Sequence, residues 1–398
     1  MNGTVLFLNN ELVRSTRLVM EGIIAFAATR GWQVQRVTPP AHAGADYLSS
    51  LAEFWKPVGI VAMYAPDTGI PSPDAAPDIP FVCFDLDESR RPGPEHARRT
   101  RLGYVSCDSK SVAKMAARTL LEQGFASYAY VSAHTRFHWN ETRREAFRAA
   151  IELNGGICHA YDGSGLSSSA AADMERLGAW LKSLPKPCGL LAAHDRAAAS
   201  VLMAAAREGI DVPGELAVVG VDDDETLCES MSPQLTSVSN DFFKGGRLAG
   251  ELIQKLAGPR LRQPPTACYG AERLVTRLST RRIVHPAPSV RLALEAIRRR
   301  AADGISAADI LPVLGGSRRS AEKRFRAAVG KSILEEILDV RFERLLPLLR
   351  QPQIPLGSLA DRTGFASENH LQRMFKARYG MTLSAYRKKE TRQLMAGA

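Results

Sequence analysis

Polar side chains gather at the ends of short apolar, β-branched runs. Asn9 and Asn10, with Arg17 a little beyond, close Thr4–Asn9 (TVLFLN), and Asp85 and Asp87 close Pro80–Asp85 (PFVCFD). His194 and Asp195 follow Gly189–Ala193 (GLLAA), and Asp222, Asp223 and Asp224 follow Leu216–Val221 (LAVVGV). One Asp or Asn after a strand commonly caps the next helix. Several converging on one crevice, with Arg and Trp among them, supply what a polyol needs: paired hydrogen bonds to vicinal hydroxyls and an apolar plate for the C–H face. Trp139, ahead of Arg143 in WNETRREAF, is the candidate plate. Asp108, between YVSC and the helical stretch Ser109–Leu121, is expected to cap that helix and to lie where it could touch ligand.

A second kind of chemistry lies at residues 364–380, GFASENHLQRMFKARYG. Gly364 supplies a turn in which positive φ is cheap only for glycine, and Ser367 caps the helix that follows. Leu371, Met374, Phe375 and Arg378 share one face, with Leu, Met and Phe packing inward. Glu368, Asn369, Gln372, Arg373 and Lys376 occupy the other. Amides and a guanidinium at an exposed helix start match base edges in a major groove, and Lys or Arg further along suits phosphates. One such helix would ordinarily be a solvated face. The order recurs fifty residues earlier, however: Ala307–Leu314 (AADILPVL), Gly315-Gly316, then the basic helix from Ser317 to Phe325. Two copies joined by a helix over Ser332–Arg350 would set two reading helices ~34 Å apart, one turn of DNA. Pro312 in the first scanning helix and Pro347 in the joining helix are interior prolines, each expected to cost ~3 kcal/mol or to bend the axis.

The elements that must position these groups divide the chain. The apolar runs, with Val58–Met63 (VGIVAM) and Tyr128–Ser132 (YAYVS), read as strands with helical stretches between them, hence parallel sheets of right-handed βαβ units. Ser15–Arg30 is one such helix, with Leu18, Val19, Gly22, Ile23, Phe26 and Ala27 on a common stripe and Gly31 closing it. Two sheets in the first 280 residues make a two-lobed α/β domain, and open α/β sheets bind ligands beyond the carboxyl ends of their strands. After Leu278–Ser289 (LSTRRIVHPAPS) the pattern is wholly helical. The expected organisation is a receptor domain over 1–280, a linker over 281–288 and an all-α domain with two helix-turn-helix units over 289–392.

Charge follows the same division. Residues 281–398 hold 23 Lys and Arg against 11 Asp and Glu, leaving 29 against 31 before them. The net +10 therefore resides in the helical part, which points to a polyanionic partner, double-stranded DNA. There is no Gly-x-Ser-x-Gly elbow, Walker loop or His-Glu-x-x-His pair, so no catalytic residues are assigned. DGSGLSSS (Asp162–Ser169) has the composition of a phosphate loop but no strong strand before it, and reads as a connection. The six cysteines form no Cys-x-x-Cys pair, so neither a zinc site nor a disulfide framework is expected, and no cofactor is required. MNGTVLFLNNELV is not a secretory signal and no run of about 18 apolar residues occurs, so the cytoplasm is the expected location and no membrane is a partner.

Leu190–Ile253 carries a resemblance. A strand ending in His-Asp, a Val-Pro-Gly-Glu turn, a VVG strand with an Asp pair after it, and Pro-Gln-Leu-Thr-Ser-Val before a helix are similar to the effector-binding domain of the LacI/periplasmic sugar-binding superfamily. The resemblance implies effector contacts from Arg17, Arg143, His194 or Asp195, Asp222 and Asn240. His194 stands where that family usually has Asn, and Asn240 where it often has Gln. Residues 289–390, with ASENHLQRMFKARYGMTLSAYR, resemble the AraC-type DNA-binding domain. That implies base contacts from Arg318, Arg319, Ser320 and Lys323, then from Glu368, Asn369, Gln372 and Arg373. The combination, with ERLVTRLSTRR at the junction, resembles the xylose-operon regulators. It implies a cytoplasmic activator that is a homodimer, binds a pentose-like monosaccharide between its lobes and an operator through its helices, and works with RNA polymerase. Two other readings stay open: a sugar-processing enzyme with a basic tail, which would turn its ligand over, and an architectural DNA-binding protein, which would ignore sugars.

Overall fold

A computed structural model of the chain describes residues 3–10, 13–40, 43–63, 73–86, 88, 91, 99–133, 138–163, 169–281, 288–351 and 353–396. Asp87 and residues 164–168 of the DGSGLSSS stretch lie outside them. The chain separates into two units, one formed by residues 1–231 and 235–280, the other by 232–234 and 281–398.

In the first unit the described strands are β1 (Thr4–Leu8), β2 (Gln33–Val37), β3 (Gly59–Met63), β4 (Phe81–Phe84), β5 (Leu102–Asp108), β6 (Ser127–Val131), β7 (Cys158–Tyr161), β8 (Cys188–Ala192), β9 (Leu216–Val221), β10 (Thr236–Asn240) and β11 (Thr266–Val275). They form one sheet in the order β2-β1-β3-β4-β5-β11-β10-β9-β8-β6-β7. Every pairing is parallel except β10 with β11. β11 joins the two lobes. Its first half, Thr266–Gly270, runs parallel to β5, and its second half pairs antiparallel with β10, where the register slips between Ser239 and Asn240.

The helices between the strands are α1 (Arg14–Ala28), α2 (Ala45–Trp55), α3 (Ser109–Leu121), α4 (His138–Leu153), α5 (Ala170–Ser183), α6 (Asp195–Arg207), α7 (Glu225–Ser230) and α8 (Phe242–Ala257). β4, β8 and β9 are continuous apolar runs buried along their whole length, as parallel strands covered on both faces must be. α1 and α8 meet backbone to backbone. A Cβ at Gly22 would lie 2.1 Å from the Phe243 carbonyl oxygen, and one at Gly246 2.0 Å from that of Val19. Four strands carry no apolar run in the sequence. β2 and β7 are partly exposed edges, β11 is amphipathic, and β10 (TSVSN) is built of small polar residues although all five are buried.

The second unit is helical: α9 (Pro288–Arg300), a 3-10 turn (Ala301–Asp303), α10 (Ala307–Leu314), α11 (Arg318–Val329), α12 (Ile333–Leu349), a 3-10 turn (Leu356–Ser358), α13 (Leu359–Thr363), α14 (Glu368–Tyr379) and α15 (Leu383–Ala396). Leu356–Thr363, ahead of the Gly364 turn, is thus a 3-10 turn followed by a short α-helix. Both α10 and α12 continue through their prolines, Pro312 and Pro347. Ser317 and Ser367 cap the two reading helices by accepting from Ser320 N and His370 N. Ser332 and Glu335 close a capping box on α12. α12 packs on both helix-turn-helix motifs: Arg341 donates to the carbonyls of Ala301 and Ile305, and Phe342 stacks near Phe365, Phe375 and Tyr379. Gly364 has φ 78°, and a Cβ there would lie 2.1 Å from the Ala301 carbonyl oxygen, so both torsion and space require glycine.

Candidate functional site

Two places in the molecule concentrate the polar groups. In the first unit, the carboxyl ends of β4, β8, β9 and β10 bring Asp85, His194, Asp222 and Asn240 toward the junction of the lobes. A cavity of about 180 Å³ there is walled by Val13, Arg14 and Ser15 from the start of α1 and by His194, Asp195, Arg196, Asp222, Asp224 and Leu227 from the opposite lobe. It is smaller than the ~300 Å³ at the lower end of drug-sized pockets, so only a small ligand would fit it.

Asp222 is the centre of this arrangement. Its backbone has φ 99° and that of Asp223 φ 50°, two consecutive non-glycine residues in a region L-residues rarely occupy. Such torsions persist where the surroundings over-determine them. The Asp222 Oδ1 accepts from Asn240 Nδ2 at 3.1 Å, and its carbonyl accepts from Arg14 Nη1 at 2.7 Å. Asn240 is buried, at the register slip of β10; bulges of this kind re-aim side chains. Its Oδ1 has no protein partner.

Arg143, on α4, is 3% exposed. Its Nη1 donates to the Ala193 carbonyl and its guanidinium carbon lies 4.8 Å from the centre of the Trp139 ring. Its Nε has no protein partner. The Trp139 ring centre is 6.2 Å from that of His194, so plate, guanidinium and imidazole form one cluster. His194 caps α6: its Nδ1 accepts from Ala197 N at 3.0 Å. An accepting Nδ1 is unprotonated, which leaves the ring neutral with its proton on Nε2. Burial lowers the pKa of His194, and Arg143 adds to that, while Asp222 opposes it. Imidazole thereby fills the capping role in which asparagine is the commoner residue.

Asp195 is structural as well as adjacent. Its carboxylate accepts from Ser237 Oγ at 2.6 Å and from Asp224 N at 2.7 Å, tying α6 to β10 and to the turn after β9. Burial, and next the neighbouring Asp222, push its pKa up to about 8. Asp85 is half-buried and left-handed, φ 56°, with Oδ1 accepting from Cys107 N and Oδ2 from the Tyr269 hydroxyl. Burial raises it to about 6 against those two hydrogen bonds.

Two expected contacts sit elsewhere. Arg17 is exposed and outside the cavity wall; three residues earlier, Arg14 takes the polar contacts to Asp222 instead. The helix begins at Arg14, so the residue facing the opposite lobe is in its first turn. Asp108 is exposed and caps α3, accepting from Lys110 N and Ser111 N. Asn9 is buried and accepts from Arg36 Nε at 2.7 Å. Sequence reasoning did not find the cation cluster on Asp223: Arg277 Nη1 lies 2.9 Å from its carboxylate, Arg273 Nη2 3.7 Å and Arg14 Nη2 3.8 Å. The available signal was Arg14 itself, a cation at a helix N-terminus, where the dipole disfavours it.

The second place is the outer face of the helical unit. Arg318, Arg319, Ser320 and Lys323 on α11 are exposed, as are Glu368, Asn369, Gln372, Arg373 and Lys376 on α14. Beneath them Ala321, Phe325, Leu371 and Phe375 are buried. Arg318 pairs with Glu322 at 3.0 Å, and Gln372 donates to Glu368 at 3.1 Å. Arg378, exposed on α14, pairs with Asp339 of α12 at 2.5 Å and links the reading helix to its support. Among the described residues no group of three or more His, Cys, Asp or Glu is placed to hold a metal. Nor is any described helix long and apolar enough to cross a membrane.

Comparison with known proteins places these features in a family context. Residues 117–280 match the model of the periplasmic binding protein-like domain, and residues 312–389 that of a helix-turn-helix domain. The xylose operon regulatory protein of Haemophilus influenzae is 30% identical over 288 residues, 71% of this chain and 74% of that protein. Its Escherichia coli K12 namesake is 27% identical over 350 residues, 84% of each chain. The solved structure of a xylose-binding transcription activator superposes with a TM-score of 0.58 at 23% identity, covering 98% of both chains.

Proposed function

The chain belongs to the family of xylose operon regulatory proteins and is a sugar-responsive, DNA-binding transcription regulator; from that premise we propose that its effector is a pentose held between the lobes of the first unit. One observation carries the assignment of the site. Two buried side-chain atoms, Arg143 Nε and Asn240 Oδ1, lack any protein partner beside a carboxylate, Asp222, and a neutral imidazole, His194. Buried polar atoms are nearly always satisfied, so a donor and an acceptor left open among the groups at these strand ends fit a ligand with both kinds of group on each carbon. Trp139 supports the reading as an apolar plate for the ring. No step of covalent chemistry is needed, and the relatives are regulators rather than enzymes.

The reading helices α11 and α14 contact base edges through Arg318, Arg319, Ser320, Lys323, Glu368, Asn369, Gln372 and Arg373, with Lys376 on phosphate. The chain acts in the cytoplasm as a homodimer and activates transcription by working with RNA polymerase. Sugar favours one arrangement of the lobes, and that arrangement presents the operator-binding helices differently.

A thermal-shift screen over pentoses and hexoses tests the site. A bound sugar raises Tm by mass action, by about 2.7 kcal/mol of stability at a hundred times Kd. D-xylose, or an epimeric pentose, is expected to give the largest shift; a protein whose Tm ignores every monosaccharide has no sugar site.

A further inference from the structure

We infer that Arg14 is a positioning residue for the effector cleft, holding the strained Asp222–Asp223 turn from the opposite lobe. The inference rests on the cleft being the sugar site. Three observations carry it. First, Arg14 opens α1, where a cation opposes the helix dipole, and the preceding Val13 gives the helix no side-chain cap. The local sequence thus accepts an unfavourable charge, and the compensation must be tertiary. Second, the guanidinium reaches 208 residues along the chain to the Asp222 carbonyl at 2.7 Å, with Nη2 3.8 Å from the Asp223 carboxylate. Third, those are the two residues with consecutive left-handed torsions at this end of β9.

The consequence for Asp222 follows from geometry. With its carbonyl held by Arg14 and its Oδ1 by Asn240, the carboxylate is fixed in direction before any sugar arrives. A preorganised acceptor spares the ligand the cost of ordering it. Because Arg14 and Asp222 belong to different lobes, the same contact also couples that direction to the closeness of the lobes. Asp223, held by Arg277 at 2.9 Å just beyond the interlobe strand β11, anchors the far side of the turn. An arginine is suited to this role because its planar fork spans a carbonyl and a carboxylate together, which a lysine ammonium does not.

The full-length protein tests it by titration calorimetry with D-xylose. Arg14→Met is expected to weaken binding at least tenfold, and Arg14→Lys, which keeps the charge and one donor, to recover part of that loss. Operator affinity measured without sugar stays within twofold of wild type in both, which a general loss of structure would not allow. Equal D-xylose Kd for wild type and Arg14→Met overturns the inference. Should the Met variant fail to fold, the Lys variant decides alone: a three- to tenfold loss supports the role and a wild-type Kd removes it. If the wild-type protein binds no pentose, it is the cleft assignment that fails. The Arg14 contact is then read from hydrogen exchange at the Asp222–Asp224 amides, which must quicken in the Met variant or the contact holds nothing.

Discussion

At the scale of single residues, burial governs what the cleft can do. Asp195 is 3% exposed and its pKa is raised to about 8, chiefly by burial and next by the nearby Asp222. In the unfolded chain the same group titrates near ~3.9. Between those values the folded protein holds a proton that the unfolded chain has released, so stability falls as pH rises through that window and levels off above it. His194 acts in the opposite sense on the acid side. Its folded pKa is lowered, so the stability it contributes is present above its unfolded pKa and is lost as pH falls through the folded one. Asp195→Asn can keep an amide oxygen as acceptor for Asp224 N, and it sets an amide N–H against Ser237 Oγ in place of the oxygen that accepts from it, while removing the ionisation. The variant is expected to lose much of the decline in Tm between pH 5 and pH 8, where one proton accounts for at most ~1.4 kcal/mol per pH unit. Parallel Tm curves for variant and wild type would mean that Asp195 is already ionised in the native state. None of this is legible in the letters His-Asp. The sequence marks them as following a strand, and only the fold shows that one caps a helix beside the cleft while the other is consumed in tying α6 to β10.

At the scale of elements, legibility depends on how local the cause is. The reading helices α11 and α14 are set by a glycine, a serine cap and an apolar stripe within a dozen residues, and the structure places their buried and exposed faces as that pattern requires. β1, β3, β4, β6, β8 and β9 announce themselves by apolar runs. β10 does not, because its burial comes from neighbours distant in sequence, and its small hydroxyl side chains are satisfied there by tertiary bonds such as Thr236 Oγ1 with the Arg277 N–H. The register slip that turns Asn240 toward Asp222 is invisible for the same reason, as is the phase of α1 that substitutes Arg14 for Arg17. The helix α14 carries its own prediction. Arg373 is exposed on a helix whose opposite face is fixed by Leu371, Phe375 and the Arg378–Asp339 pair. Arg373→Ala should leave the fold untouched and cost about 1–3 kcal/mol on the operator, with little change on random duplex. Equal losses on both DNAs in a competition binding assay would reassign it to phosphate.

At the scale of the whole molecule, a regulator is defined by coupling rather than by either site. Linkage makes the coupling reciprocal: if D-xylose changes operator affinity by some factor, operator must change D-xylose affinity by the same factor. Couplings of this kind are typically 1–3 kcal/mol, or about 5–150-fold. Four dissociation constants, sugar with and without operator and operator with and without sugar, therefore contain only three independent quantities; their closure checks the measurements, and a common factor different from one shows that the two sites are coupled. Asp222 offers the control. Alanine there would confound two effects, since it removes the carboxylate and also sits badly at φ 99°. Asparagine tolerates left-handed torsions far better and keeps the side-chain shape. Asp222→Asn is expected to abolish the sugar-induced change in operator footprint while leaving the sugar-free operator Kd within about twofold, because nothing at the reading helices has been altered. If the variant instead loses operator binding in the absence of sugar, Asp222 supports the DNA-competent arrangement itself. Sugar would then act by relieving the Asp222–Asp223 turn rather than by adding contacts to it.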